Sequence, residues 1–231
     1  YYMLRSAGAD GRRGPDSVKA RTQPRFVEDV VVSVLNPSEV EVAWTPLPEP
    51  DVAGYYVERA VVEVATDDQL RKLKTKVAPL DPPSAGAVLR VGAFLRITCD
   101  PVKGARFPDA VDLAAPKAVE GEPIQARTFH KDDWDAAGKP YPFAVYAYRV
   151  RAVNALGVAG GPSPMALTIP SIPRQVFAKE DGGTCRLKWA ANPEQKLKGY
   201  RVYRMDGRWD KDPMTRLTPE PVAECAFADE G

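Results

Sequence analysis

The sequence predicts an all-β chain of antiparallel sandwiches in tandem, with one short helix in an insertion. Three observations predict it: apolar and polar residues alternate over short runs, proline and glycine punctuate those runs, and the runs recur at a fixed spacing. Alternation sends successive side chains to opposite faces of a strand, so one face is buried and the other solvated. Proline removes a backbone donor and breaks helices, and 23 prolines in 231 residues is about twice the usual ~5%. The composition is otherwise globular, 44% hydrophobic and 27% charged, and the length suits one large domain or two ordinary ones.

The recurrence locates the elements. Val40-Glu41-Val42-Ala43-Trp44 matches Cys185-Arg186-Leu187-Lys188-Trp189 at an offset of 145, and Gly54-Tyr55-Tyr56-Val57-Glu58-Arg59 matches Gly199-Tyr200-Arg201-Val202-Tyr203-Arg204 at the same offset. Tyr2-Met3-Leu4-Arg5, Gly11 and Ser17 match Tyr148-Arg149-Val150-Arg151, Gly157 and Ser163 at an offset of 146. The chain therefore holds pieces of three copies of one unit. Each piece reads as strand. In residues 146–153 the apolar face is Tyr146, Tyr148, Val150 and Ala152, with arginines turned outward.

A tryptophan closing the second strand, a Gly-Tyr-x-Val-x-Arg third strand, and Tyr148 to Asn154 followed by Gly157 and Pro162-Ser163 resemble a fibronectin type III domain. The resemblance covers nearly the whole chain except two insertions. It implies a first domain over 25–170, with strand A at about 26–34, B at 39–45, C at 54–62, E near 105–110, F at 143–153 and G at 157–168. A second domain over 173–231 would hold B at 184–190, C at 199–205 and E at 222–228, and lack F and G. Residues 1–22 would be the F–G hairpin of a preceding copy. Trp44, Trp189, Tyr55, Tyr200 and Tyr148 would take the family's core positions between the sheets.

Residues 25–170 exceed the ~100 that such a sandwich needs. Trp44 to Phe107 spans 63 residues and Trp189 to Phe227 only 38, which puts one insertion at about 63–100. Thr66-Asp67-Asp68-Gln69 fits a capping box, and Leu70, Leu73 and Val77 recur at helical spacing, so a short helix is predicted over about 67–76. A second insertion lies at about 112–140. Long loops in compact domains are more often functional than decorative.

Composition and motifs exclude several activities. A net charge of +1 creates no global field toward nucleic acid or anionic membrane. The basic run Arg71, Lys72, Lys74, Lys76 reads as a solvated helix face without the aromatics of a nucleic-acid platform. No apolar run reaches the ~18–20 residues of a membrane helix, so no direct membrane insertion is expected. A single histidine, His130, beside Asp132, Asp133 and Asp135 has no nearby nucleophile and reads as a surface residue. Asp133-x-Asp135-x-x-Gly138 lacks the third ligand position and late glutamate of a calcium loop, and reads as a solvated acidic turn. No catalytic residue, metal or cofactor is expected.

Trp134, with Phe129 near it in the second insertion, and Trp209, in a turn of charged residues, are candidate partner contacts, because exposed indoles bury much area at small entropic cost. The alternative is that each folds back over its own loop. Cys185 and Cys225 share an inward face on strands that neighbour one another in the family, and so are open to either pairing or burial as free thiols; with Cys99 they leave at least one thiol unpaired.

The N-terminus shows no apolar segment behind Arg5, and the chain reads as a piece of something longer. The hairpin 1–22 and residues 173–231 together make 81 residues, close to one small sandwich. Either the chain is a window on a longer array, the simpler reading, or the hairpin of one molecule completes the sandwich of the next. The expected function is a non-enzymatic structural or binding module, a spacer and protein-interaction scaffold of a larger extracellular or cell-envelope protein. Its partners would be proteins or neighbouring repeats, with carbohydrate also open. The rival functions are the accessory region of a polysaccharide-degrading or other extracellular hydrolase, and a subunit of an envelope or membrane complex.

Overall fold

A computed structural model describes residues 2–17, 22–66, 85–119, 141–205 and 214–231. Its strands are β1 (Arg5–Ala7), β2 (Arg13–Asp16), β3 (Val30–Asn36), β4 (Glu39–Trp44), β5 (Val52–Thr66), β6 (Ala85–Val91), β7 (Leu95–Arg96) and β8 (Arg106–Ala110). There follow β9 (Val145–Asn154), β10 (Ala166–Leu167), β11 (Arg174–Asp181), β12 (Thr184–Ala190), β13 (Tyr203–Met205), β14 (Met214–Arg216) and β15 (Ala226–Asp229). Every pairing is antiparallel. The described residues contain no helix; the helix expected over 67–76 lies outside them.

Two sheets enclose the main core. One has the order β3-β4-β8; the other runs β10-β9-β5-β6, with β7 also on β5. Registers such as Val42↔Phe107 and Val57↔Val150 put alternate residues of every strand on the inner faces. There Val40, Val42 and Trp44 meet Tyr55, Val57, Tyr146, Tyr148, Val150 and Ala152. The predicted apolar face of β9 is thus the buried one. Two packed layers are what such one-sided strands require, since each sheet hides its apolar face against the other.

Three corrections concern the insertions and the last strand. β5 does not end near 62 but continues to Thr66 and pairs with β6, so the first insertion begins as an extension of the sheet. A second apolar cluster, Val62, Val64, Val145 and Ala147, forms on the opposite face of β5 and β9, covered by Val88, Phe94 and Leu167. The second insertion begins beyond position 112, because Val111 and Leu113 hydrogen-bond to Ser38 O and Pro37 O and are buried in the main core. The return strand after β9 keeps its hydrogen bonds, from Gly160 N to Ala152 O through Thr168 N to Tyr146 O, yet only β10 is regular. Pro162 and Pro164 interrupt it by removing donors.

Residues 174–229 repeat the plan with β11-β12-β15 as one sheet and β13-β14 as a second pair. Tyr203↔Arg216 stands where Glu58↔Arg96 stands in the first unit. Gly54 and Gly199 mark the same close approach: a Cβ there would come within 2.9 Å of Val102 O or 2.5 Å of Val222 O, so the crossing backbone admits only glycine.

Candidate functional site

The repeat becomes a repeated set of contacts. Trp44 and Tyr55 have ring centroids 5.3 Å apart, Trp189 and Tyr200 5.2 Å apart. Each phenol oxygen accepts a backbone N–H three residues after its tryptophan, from Leu47 at 2.8 Å and from Asn192 at 2.9 Å. Both indole Nε1 atoms are buried without a hydrogen-bond partner, so these rings serve as packing and not as donors. Trp44, Tyr55 and Tyr148 are buried, whereas Trp189 and Tyr200 remain partly accessible.

A polar bridge spans the first sandwich from within. Arg59 and Tyr148 are register partners on β5 and β9, and both reach Asp109 on the facing sheet, each at 2.7 Å from Oδ2. Burial, then the neighbouring carboxylate, push the Tyr148 hydroxyl well above its ordinary pKa, against a smaller opposing pull from Arg59. Burial alone would lower the Arg59 pKa; the hydrogen bond and charge of Asp109 outweigh it and raise the value. Arg204 and Asp229 repeat the ion pair in the second unit at 3.1 Å. Thr98 Oγ1 accepts Val57 N–H, as Thr218 Oγ1 accepts Val202 N–H.

These partners went unrecognised in the sequence, although a signal was there. Arg96-Ile97-Thr98, Pro101-Val102 and Phe107 recur as Arg216-Leu217-Thr218, Pro221-Val222 and Phe227 at an offset of 120, the main spacing less the insertion. Asp109 and Asp229 share that offset.

Hydrogen bonds fix the stretch that joins the first set of sheets to the second. Ser171 N–H donates to Glu194 Oε1 at 2.6 Å, and Asn192 Nδ2 donates to Ser171 O at 2.6 Å. Arg25 N–H to Glu49 Oε2 is the counterpart before the first unit, and Glu49 and Glu194 each follow a proline. Burial works against ionisation of Glu194, but hydrogen bonds from Ser171 and Asn192 prevail and lower its pKa. The next residue crosses the junction: Gln195 N–H donates to Ser33 Oγ at 2.9 Å and its Nε2 to Glu41 Oε1 at 2.7 Å. A cleft of about 680 Å³ opens beside it, lined by Val32, Val34, Leu113, Phe143 and Leu197 with Lys196 and Lys198.

Outward on β5 and β9, Glu58 accepts from both Arg149 and Arg151, and Arg149 lies 4.0 Å over the Phe94 ring. This matches the outward arginines of the sequence pattern. Phe129, Trp134 and Trp209, together with His130, Asp133 and Asp135, lie outside the described residues. Among the described residues no cluster of metal-ligating side chains forms. Cys99, Cys185 and Cys225 are free thiols. The option of pairing Cys185 with Cys225 is corrected by register: Cys185 faces Asp229, while Cys225 O accepts Trp189 N–H, four residues along the ladder. That separation is roughly 13 Å, beyond the ~7 Å a disulfide spans.

No family model and no curated protein matches the chain. Among solved structures it is similar to the FN1-FN3 domains of chicken CNTN1, at 14% identity and a TM-score of 0.32. The match covers 98% of this chain, which spans 65% of that structure's length. The fibronectin type III-like fold rests on the strand order and facing sheets described above.

Proposed function

We propose that the chain is a non-enzymatic spacer and protein-interaction scaffold of a larger secreted or cell-envelope protein. Its units are residues 25–170 and 173–231, with residues 1–22 a terminal hairpin. The observation that carries this reading is Gln195, which engages Ser33 and Glu41 of the neighbouring unit while Glu194 grips the linker at Ser171. A linker bracketed by Pro170 and Pro173 and pinned on both sides holds two sandwiches at one angle. The arginine and tyrosine groups found inside the sandwiches join sheets, which is a structural duty. Partner contacts are assigned to Trp134, Phe129 and Trp209, whose aromatic area suits a protein surface.

Spin labels placed on the two units test the spacer reading by their distance distribution. A narrow distribution is expected, broadened when Ser33→Ala and Gln195→Ala are combined. An equally broad distribution in the unaltered chain would refute it.

A further inference from the structure

The outer face of the larger sheet carries arginines in fixed places. Glu58 on β5 falls opposite Arg149 of β9 on one side and Arg96 of β7 on the other, while Tyr56 falls opposite Arg151. Directly opposed residues share a face of the sheet. Val57 and Val150 point into the core, so their neighbours Tyr56, Glu58, Arg149 and Arg151 point away from it. Two rows therefore lie side by side, Arg149-Glu58-Arg96 and Arg151-Tyr56. They set three guanidiniums against one carboxylate.

Each guanidinium is also held by something other than an opposite charge. Arg149 lies 4.0 Å over the Phe94 ring and Arg96 4.5 Å over the Tyr56 ring. Arg151 donates from Nη1 to Gly160 O at 3.1 Å and from Nε to Glu58 Oε1 at 2.9 Å. Arg149 gives its Nε to the other oxygen of Glu58. Arg149 and Arg151 thus share a single carboxylate, and Arg96 forms no ion pair among the described residues. A ring covers only the flat side of a guanidinium, which leaves the hydrogen-bonding edge open. Arg96 is exposed, and beside these strands Met165, just before β10, is 46% exposed.

We propose that this face binds an acidic segment of a partner protein. Arg96 takes one carboxylate of that segment, and the terminal nitrogens of Arg149 and Arg151 take another. Arg96 and Arg149 stand two strand spacings apart, about 10 Å, which two acidic side chains of one segment can span. Charge complementarity carries the choice of an acidic partner, since the face has more cations than its own carboxylate can match. The planar fork of arginine fits a carboxylate, and stacked arginines lose little freedom when they bind one. Exposed Met165 adds an apolar contact that a polypeptide meets with its own side chains. The proposal rests on the reading of the chain as an interaction scaffold and names the chemistry of one partner, through residues other than Trp134, Phe129 and Trp209.

Fluorescence anisotropy of a labelled peptide of alternating glutamate and alanine, titrated with the 231-residue chain, tests it. Saturable binding is expected, weakening several-fold as salt rises from about 50 to 300 mM. The matching peptide of glutamine and alanine should not bind. Arg96→Gln, at an exposed position that leaves the fold intact, should weaken binding about fivefold, while Arg106→Gln on the other sheet leaves it unchanged. Glu58→Gln acts in the opposite direction: it removes the carboxylate that competes for Arg149 and Arg151, so the peptide binds several-fold more tightly. Arginines that only brace the sheet would give no such gain. Equal binding of the glutamine peptide, no loss in Arg96→Gln, or no gain in Glu58→Gln overturns the proposal. Heparin that binds more tightly than the peptide, with the same loss on Arg96→Gln, assigns the face to a sulfated polysaccharide and overturns it too. Failure here with a narrow spin-label distribution sinks the acidic partner alone and leaves the spacer reading standing.

Discussion

The Tyr148 hydroxyl donates to Asp109 Oδ2 at 2.7 Å, joining β9 of one sheet to β8 of the other at the margin of the apolar core. Arg59 donates to the same oxygen from the strand beside Tyr148. A part-buried carboxylate is tolerated when its charge is matched, and here Arg59 supplies the charge while the Tyr148 hydroxyl adds a second donor to the same oxygen.

Removing one arm of this bridge is therefore costly. Tyr148→Phe is expected to lose about 1.5–3 kcal/mol, the usual worth of a hydrogen bond to a charged group. Asp109→Ala loses more, about 3 kcal/mol or above, since it strands the half-buried guanidinium of Arg59. Urea unfolding of each variant measures both. The phenol's raised pKa adds a sign. The folded state favours the neutral hydroxyl, so this stability is fully present below about pH 10 and is lost as pH rises beyond it. Tyr148→Phe removes that alkaline component.

The tyrosine that caps each tryptophan predicts matched losses in the two units. Tyr55→Phe and Tyr200→Phe each remove the acceptor for one backbone N–H, of Leu47 or Asn192, at about 1 kcal/mol apiece. Local hydrogen exchange at those two amides is the direct readout, and each should quicken only in its own variant.

Exposure separates the two core indoles. Trp44 is 6% exposed, while Trp189 is partly accessible because its sheet lacks a full facing layer among the described residues. In chains keeping one of these indoles at a time, acrylamide should quench Trp189 several-fold more efficiently than Trp44. Equal quenching of the two indoles contradicts the structure.

Glu194 makes the hold on Ser171 sensitive to acid. Its pKa is lowered from the ordinary 4.5 by hydrogen bonds that prevail over burial. A lowered carboxyl contributes stability above its unfolded value and loses it as pH falls through the folded one. The inter-unit distance distribution is thus expected to broaden below about pH 4.5. Glu194→Gln should abolish that dependence.

The three thiols predict a simple chemical result. Under oxidising conditions mass spectrometry should find no bond between Cys185 and Cys225, and exposed Cys99 should alkylate first.

Much of this molecule is legible in one dimension, because a strand buried on one face writes its period directly into the chain. Val40, Val42 and Trp44, or Tyr146, Tyr148 and Val150, declare their face by alternation alone, and the 145-residue offset places the same face again at Leu187 and Trp189. What alternation cannot carry is a face covered by something distant. Val62 and Val145 sit on the outer side of their strands and are buried only because Phe94 and Leu167 come across to cover them. Charged partners are hidden for the same reason: Arg59 and Asp109 are fifty residues apart and look like surface residues until the two sheets stack.

Sequence alone determined the class of fold, the repeated tryptophan and tyrosine positions, and most strand positions, since these depend on local period and turn chemistry. Only the folded chain decided which polar groups meet, how Gln195 bridges two units, and that Cys185 and Cys225 stand apart. Those outcomes depend on register and layer stacking, in which a shift of one residue along a strand reverses every side chain.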